Sequence, residues 1–510
     1  MYDFFLSFIS SHPLVLLLLL LVLWAAVNYT GKFGSGPTEL PILGALPWLL
    51  QNRHDVLGAL LKESKRQSFR TWTVKWFGES RYIMIMSPEN LKHILKDNWV
   101  NYPKGADFCT NVGDLLGKGI FASDGAEWKG QRHLFASLFS ERTFNTAVIA
   151  AFVSHGAALE AALRQAAATG ATLDLFSLLN RFTLDTIGEI AFGSTIGSLQ
   201  DAHHPFAAAF DEAQQTLDLR FFTPGWQLLK PLMASERRLQ ESIAVMDAFC
   251  VRLIATRRRE VAEGGSLEGK TDVLSRAMCL QEPPDSGNYP YRDNDRKLRD
   301  LVINFLIAGR DTTAQALSWA LLSVCTSPPE VERQLSEEGA RLCPPSAGRF
   351  APSYEALEKE LPYTSACMRE TLRLFPSVPK DVKVAEKADT LPDGTRVPGG
   401  AKVAYLPYVM GRSTELWGPT AAQFLPARFF TDKTLPSPWK FPAFNGAGPR
   451  QCLGQRMALA EANFVLALLF SRFTFTLSPE QCKEGGCPYA DSLTLPMARG
   501  LFATVTEKLI

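Results

Sequence analysis

Cys452 lies in the run Phe444-Asn445-Gly446-Ala447-Gly448-Pro449-Arg450-Gln451-Cys452-Leu453-Gly454, with Arg450 just before the thiol and a helical pattern directly after it. A thiolate in a glycine-rich loop has the layout of a haem-iron ligand: glycines let backbone N–H groups close on the sulfur and tune its electron density. Such a ligand pushes electrons onto the iron and favours O–O cleavage. The bland alternative is an ordinary Gly/Pro turn that happens to hold one of nine cysteines. A second candidate is Ala308-Gly309-Arg310-Asp311-Thr312-Thr313, inside the apolar pattern from Leu301 to Ser323. There the Thr312 hydroxyl can turn to a carbonyl one turn earlier, loosening the helix and leaving a groove beside Gly309 for dioxygen and a water. A plain buried helix with a Thr-Thr step is its alternative.

Two charged constellations stand beside these. Glu370 and Arg373 in Glu370-Thr371-Leu372-Arg373 share one helix face, and Phe375-Pro376 must end that helix. An isolated pair of this kind is worth little on a surface, but apolar Leu372, Leu374 and Phe375 argue for burial, where a third partner is expected. Trp128-Lys129-Gly130-Gln131-Arg132 is again one helix face, beginning after Ser123-Asp124-Gly125 as an N-cap region.

Taken together, the four motifs make the chain resemble the cytochrome P450 family from about Gly36 to its C-terminus. The resemblance implies a mainly α fold with small β-sheets (α+β) in a single large haem domain. It implies that Cys452 is the axial ligand of haem b (iron protoporphyrin IX), bound covalently only through the thiolate–iron bond. Asp311 and Thr312 become the pair that delivers protons to bound oxygen, a general-acid role. Glu370, Arg373 and the Arg428 of Pro426-Ala427-Arg428-Phe429 become a structural triad that locks the loop carrying Cys452. Trp128, Arg132, Arg450 and Lys383 become partners of the haem propionates, which need positive or N–H donors when partly buried. In one respect the chain departs from the family pattern. Relatives place the aromatic residue seven positions before the cysteine, whereas Phe444 is eight before, with Gly446 as the extra residue a loop absorbs most easily.

The elements that must hold these residues read as follows. Thr71–Trp76 and Arg81–Met86 form a hairpin around Gly78-Glu79, and the middle of the chain is mostly helical, with breaks at Gly264-Gly265-Ser266 and from Glu282 to Asp295. Leu391-Pro392-Asp393-Gly394 and Pro398-Gly399-Gly400 punctuate a second β region. With 510 residues and 46% hydrophobic residues, the chain can bury one large core. Its net charge of +1 gives no reason to expect nucleic acid as a partner, and nine scattered cysteines do not read as a disulfide framework. Cys482 and Cys487, around Gly485-Gly486, are too weak a signal for a metal site.

Leu14–Val27 is continuously apolar and Phe4–Ile9 extends it to the ~20 residues a spanning helix needs. A cleaved signal peptide is the rival reading. No lysine or arginine precedes the apolar run and Lys32 follows it, which places the N-terminus in the lumen and the bulk of the chain in the cytosol. The expected organisation is a membrane anchor over residues 1–31, a stiff Pro-containing linker over 32–48 and the haem domain over 49–510, held single-pass on the endoplasmic reticulum. Phe221–Trp226, with Leu228-Leu229, either dips into the membrane surface or packs on the core.

Asn101-Tyr102-Pro103-Lys104-Gly105, Leu115–Phe121 and Tyr405–Arg412 are similar to the fatty-acid ω-hydroxylase branch of plants, fungi and related microbes. That implies a long-chain fatty acid or alkane as substrate. Another apolar substrate (terpenoid, sterol or xenobiotic) is the next reading, and a non-catalytic haem-binding sensor the one after that. Ala308 stands where a second branch can attach haem through a glutamate, so no covalent link is expected there. Leu301–Ala308, Ser377–Asp381 and Leu493–Met497 are the implied channel lining. No flavin or nicotinamide signature appears, so the resemblance implies electrons from NADPH through a membrane-bound NADPH–cytochrome reductase, with Lys129, Arg132, His133 and Arg456 as a basic docking patch or merely solvated charges.

Overall fold

A computed structural model describes residues 34–508 apart from 139–146, 202–203, 222, 224, 268, 280–290, 292–293, 345, 347, 431–434 and 484. The expected anchor and the first part of its linker lie outside the described residues, as do Phe222, Pro224 and most of the expected break from Glu282 to Asp295. Among the described residues no helix is long and apolar enough to cross a membrane.

A helix of 31 residues, Asp295–Cys325, runs through the molecule, and we call it the central helix. The Asn294 side chain caps it by accepting the Lys297 N–H at 3.0 Å. From Leu298 to Val324 it is buried on nearly every side, as a helix that is apolar all round must be. Leu175–Phe192 packs along it, capped by Asp174 and ended by Gly193 in the left-handed region. Pro205–Phe221, here the roof helix, pairs with Ala234–Ala262 and meets the central helix through Asp211 with Arg310 and Gln214 with Asp311. Pro362–Leu374 and Gln455–Arg472 pack against it from another side.

The sheets are small. Trp72–Lys75 and Arg81–Ile85 form the expected hairpin, with Trp72 opposite Met84. Lys402–Tyr405 joins it in parallel, Tyr82 opposite Lys402, and Asp381–Val384 closes the sheet in antiparallel register with Lys383 opposite Val403. Asp389–Thr390 and Arg396–Val397 pair around Gly394 at φ 85°, in the expected second β region. Leu173–Asp174, Phe502–Glu507 and Phe473–Leu477 make the last sheet.

The described part of the expected linker does not behave as a free spacer. Gly36 and Ala45 donate backbone N–H groups to the carbonyls of Thr73 and Lys75, and Glu39, 2% exposed, pairs with Arg81 at 3.0 Å. The prolines therefore shape an extra layer on the sheet edge, because backbone donors that find sheet carbonyls are held there.

Candidate active site

The cysteine loop is built from two consecutive left-handed residues, Asn445 at φ 65° and Gly446 at φ 69°. They absorb the extra residue: the Cys452 N–H still donates to the Phe444 carbonyl at 3.0 Å, and Asn445 donates to the Arg450 carbonyl at 3.0 Å. A Cβ on Gly448 would lie 2.0 Å from the Leu95 carbonyl oxygen, so this position admits no side chain. Burial pushes the Cys452 thiol up, while the N–H groups of Gly454 and Gln455 and the Arg132 charge favour its thiolate.

Cys452 lies deep within the protein and yet is accessible. Both hold because its sulfur faces an interior cavity. The same cavity accounts for the accessible Ala308 in the middle of the otherwise buried central helix, for half-buried Thr312 beside it, and for Val378, 40% exposed between buried neighbours. Ser377 ties the two walls together by donating to the Thr312 carbonyl at 2.7 Å. The Thr312 hydroxyl donates to the Ala308 carbonyl at 2.6 Å, one turn earlier as its position allows.

Two expectations change here. A Cβ on Gly309 would lie 2.5 Å from the Ile187 side chain. The glycine thus serves the contact between the central helix and Leu175–Phe192, and the accessible groove runs along Ala308 and Thr312 instead. The Asp311 carboxyl, 2% exposed, is turned to the roof helix: Gln214 Nε2 donates to its Oδ2 at 2.5 Å, and Arg310 lies 3.2 Å from Oδ1. Burial pushes Asp311 up to about 6 against the opposing pull of Arg310 and Gln214.

Around the cavity rim the positive charges converge. Arg450 stacks 4.3 Å from the buried Trp128 ring and pairs with Asp124. Lys383, 1% exposed, pairs with Asp381 at 2.6 Å, and Asp381 also accepts from Tyr405. Arg132 is near enough for its charge to act on Cys452 and to feel that of Arg450. Lys104 joins them unforeseen. It donates to the Phe121 carbonyl at 2.7 Å and lies over the Phe108 and Phe121 rings, and burial with Lys383 as neighbour pulls its ammonium down to about 7. A lone lysine between Pro103 and Gly105 carries no chemical signal in sequence; only folding brings it to this rim.

Four cations thus face two carboxylates, Asp124 and Asp381, and Arg450 Nε is buried without an acceptor among the described residues. The positive excess of Arg132, Arg450 and Lys383, to which Lys104 adds when protonated, suits the two propionates of a haem, and the accessible Cys452 thiol suits its iron. The residues fit the group.

Glu370 and Arg373 are wholly buried, two bonds of 2.7 Å joining them, and Arg428 Nε lies 3.3 Å from the same carboxylate. The triad's reach differs from expectation. Arg373 donates to the carbonyls of Gly411, Ala421 and Gln423, and Arg428 to those of Trp417 and Thr420, so the triad pins the segment before the cysteine loop. The link to the loop is apolar, through Phe429 against Phe441 at 5.1 Å.

Above the cavity, Ala106–Leu116 meets the roof helix through Phe108 and Phe221 at 5.9 Å. Arg220 fastens the pair: it is ion-paired to Asp114 and Glu236, each at 2.6 Å, and stacked 3.9 Å from Trp226. Trp226 is buried, whereas Leu228 and Leu232 are more than four-fifths exposed. The loop therefore packs inward at its tryptophan and presents leucines outward.

Comparison with known proteins agrees with this arrangement. A sequence profile described as cytochrome P450 matches residues 35–490. Cytochrome P450 704B1 of Arabidopsis thaliana is 35% identical, over 93% of this chain and 95% of that protein. Cytochrome P450 monooxygenase cyp1 of Mycosarcoma maydis is 32% identical, over 92% of this chain and 75% of that protein. Cytochrome P450 94B3 of Arabidopsis thaliana is 34% identical, over 92% of each.

Proposed function

The chain belongs to the cytochrome P450 family, and from that premise we propose that this monooxygenase hydroxylates long-chain fatty acids or alkanes at or near the methyl end. The observation that carries the reading is the pair of accessible apolar side chains Ala308 and Val378 inside otherwise buried stretches, one on the central helix and one on the segment that Ser377 ties to it. When bound, the haem supplies oxygen activation, with electrons delivered from NADPH by a reductase. The chain's own residues do the rest. Cys452 would hold the iron, its thiolate favoured by the Gly454 and Gln455 N–H groups. Lys104, Lys383, Arg132 and Arg450 would hold the propionates. Thr312 offers a hydroxyl at the cavity wall, and Asp311 behind it holds the proton to be delivered. A terminal methyl has a stronger C–H bond than the adjacent methylene, so regiochemistry must come from walls that present only the chain end.

The same reading places the protein on the endoplasmic-reticulum membrane through residues 1–31, with the haem domain facing the cytosol and Leu228 and Leu232 toward the lipid. Lys129 lies exposed on the helix Gly125–Leu138 and offers charge to a reductase. The test is reconstitution with a reductase and NADPH, saturated and unsaturated fatty acids of graded length as substrates, and mass spectrometry to identify the hydroxylated carbon. Terminal or near-terminal alcohols are expected; hydroxylation confined to terpenoids or sterols in a parallel panel would overturn the lipid reading.

A further inference from the structure

Three successive residues of the central helix point to two different places. Thr312 faces the cavity, whereas Arg310 and Asp311 both reach the roof helix. Arg310, 4% exposed, pairs with Asp211 at 2.6 Å and lies 5.0 Å from the Phe210 ring. Asp311 takes its shortest bond, 2.5 Å, from the uncharged amide of Gln214 one turn further along the same helix. Among the described residues, the charged groups that act on Asp311 are Arg310 and Asp211, one favouring its ionised form and one opposing it. Gln214 is the remaining polar contact, and it alone is neutral.

A carboxyl that must both receive and give a proton cannot be held by a tight, undivided ion pair, because such a cation keeps it ionised; Arg310, 3.2 Å from Asp311 Oδ1, makes its shorter bond to Asp211 at 2.6 Å, so its hold on Asp311 is divided. An amide donor holds direction with a weaker bias. We infer that Gln214 is the positioning residue that holds the Asp311 carboxyl in place for proton delivery beside Thr312, so that the supply of protons depends on where the roof helix sits. This rests on the reading of Asp311 as the relay acid. Loss of the amide N–H removes a bond to the ionised form, so Asp311 then titrates at higher pH. The roof helix also meets Phe108 through Phe221, so one helix contacts both Ala106–Leu116 and the acid.

The test uses the full-length haem-loaded protein with Gln214→Met, and Gln214→Leu as a second apolar replacement in case the first folds poorly; Gln214 is half-buried and no part of the core. Two readouts are taken: the infrared carboxyl band of Asp311 against pH, identified by its loss in Asp311→Asn, and product formed per NADPH consumed against pH. The band's midpoint is expected to rise by roughly one pH unit in the Gln214 variants, with the pH profile of coupling moving in the same direction. An unmoved band overturns the inference. A coupling profile that moves without the band also overturns it, since the residue then acts by another route. Wild-type coupling in Asp311→Asn would instead overturn the relay reading beneath it, while the band still reports whether Gln214 governs Asp311.

Discussion

Two arginines, each wholly buried, hold the cavity from opposite sides, and their partners differ. Below it, Arg373 is paired with Glu370, itself at 0% exposure, and its remaining donors end on main-chain carbonyls of one segment. Above it, Arg220 forms one dry pair inside the roof, with Glu236 at 2% exposure, but reaches Ala106–Leu116 through Asp114, which keeps 35% of its side chain in water. A charge pair closed off from water is costly to break, because neither half can be resolvated; a pair with one wet member parts at lower cost. The floor is thus built to stay shut around the iron ligand, and the roof to be separable, as an enzyme that admits a long apolar molecule requires.

Breaking the floor should have the largest effect. Arg373→Met leaves the buried Glu370 only Arg428 at 3.3 Å and the Leu425 N–H, and frees three buried carbonyls at once, at a cost of about 3–5 kcal/mol. We expect little folded protein and loss of the thiolate-ligated haem absorbance; a variant that unfolds in urea like the wild type would refute the contrast. Next comes Glu461, on the helix that follows Cys452, with Oε1 buried and without a partner among the described residues. Burial alone raises it from the ordinary 4.5 to about 8. The folded protein then keeps a proton the unfolded chain has released. Stability should fall as pH rises from about 4.5 to about 8 and then level off, and Glu461→Gln should flatten that decline by up to a few kcal/mol, read from urea midpoints across pH.

In the roof, Asp114→Asn removes only the pair with a wet member and leaves Arg220 with Glu236, so about 1 kcal/mol is expected, with faster binding of a fatty acid in stopped-flow. A loss equal to that of Arg373→Met would erase the distinction. Asp211→Asn should be smallest, below about 1 kcal/mol, because its side chain is more than half exposed. Thermal unfolding resolves it.

Sequence made the floor legible and the roof nearly invisible, for a physical reason. Cys452, Arg450, Glu370 and Arg373 sit in short runs where spacing alone places them on one turn or one helix face. Arg220, Asp114 and Glu236 are remote in the chain, and each looks like a solvated surface charge until three helices meet. Lys104 was missed in the same way. Gly309 was read with the correct need for a missing side chain but the wrong neighbour, since no periodicity distinguishes a helix contact from a ligand groove. The triad was placed correctly as a unit, yet what it grips follows from the course of residues 411–428, which have little regular structure to foresee.

The two left-handed steps at Asn445 and Gly446 also bear on how such a ligand can be found. The number of residues between the aromatic and the thiol is free to drift, provided the surplus is spooled where the backbone turns on itself; what is fixed is the closure from the Phe444 carbonyl to the Cys452 N–H. The spool has one condition. A Cβ at 446 would meet the Trp439 ring at 2.4 Å, so the insertion is tolerable only as a glycine, and a search that counts positions would pass over a chain whose loop closure is intact.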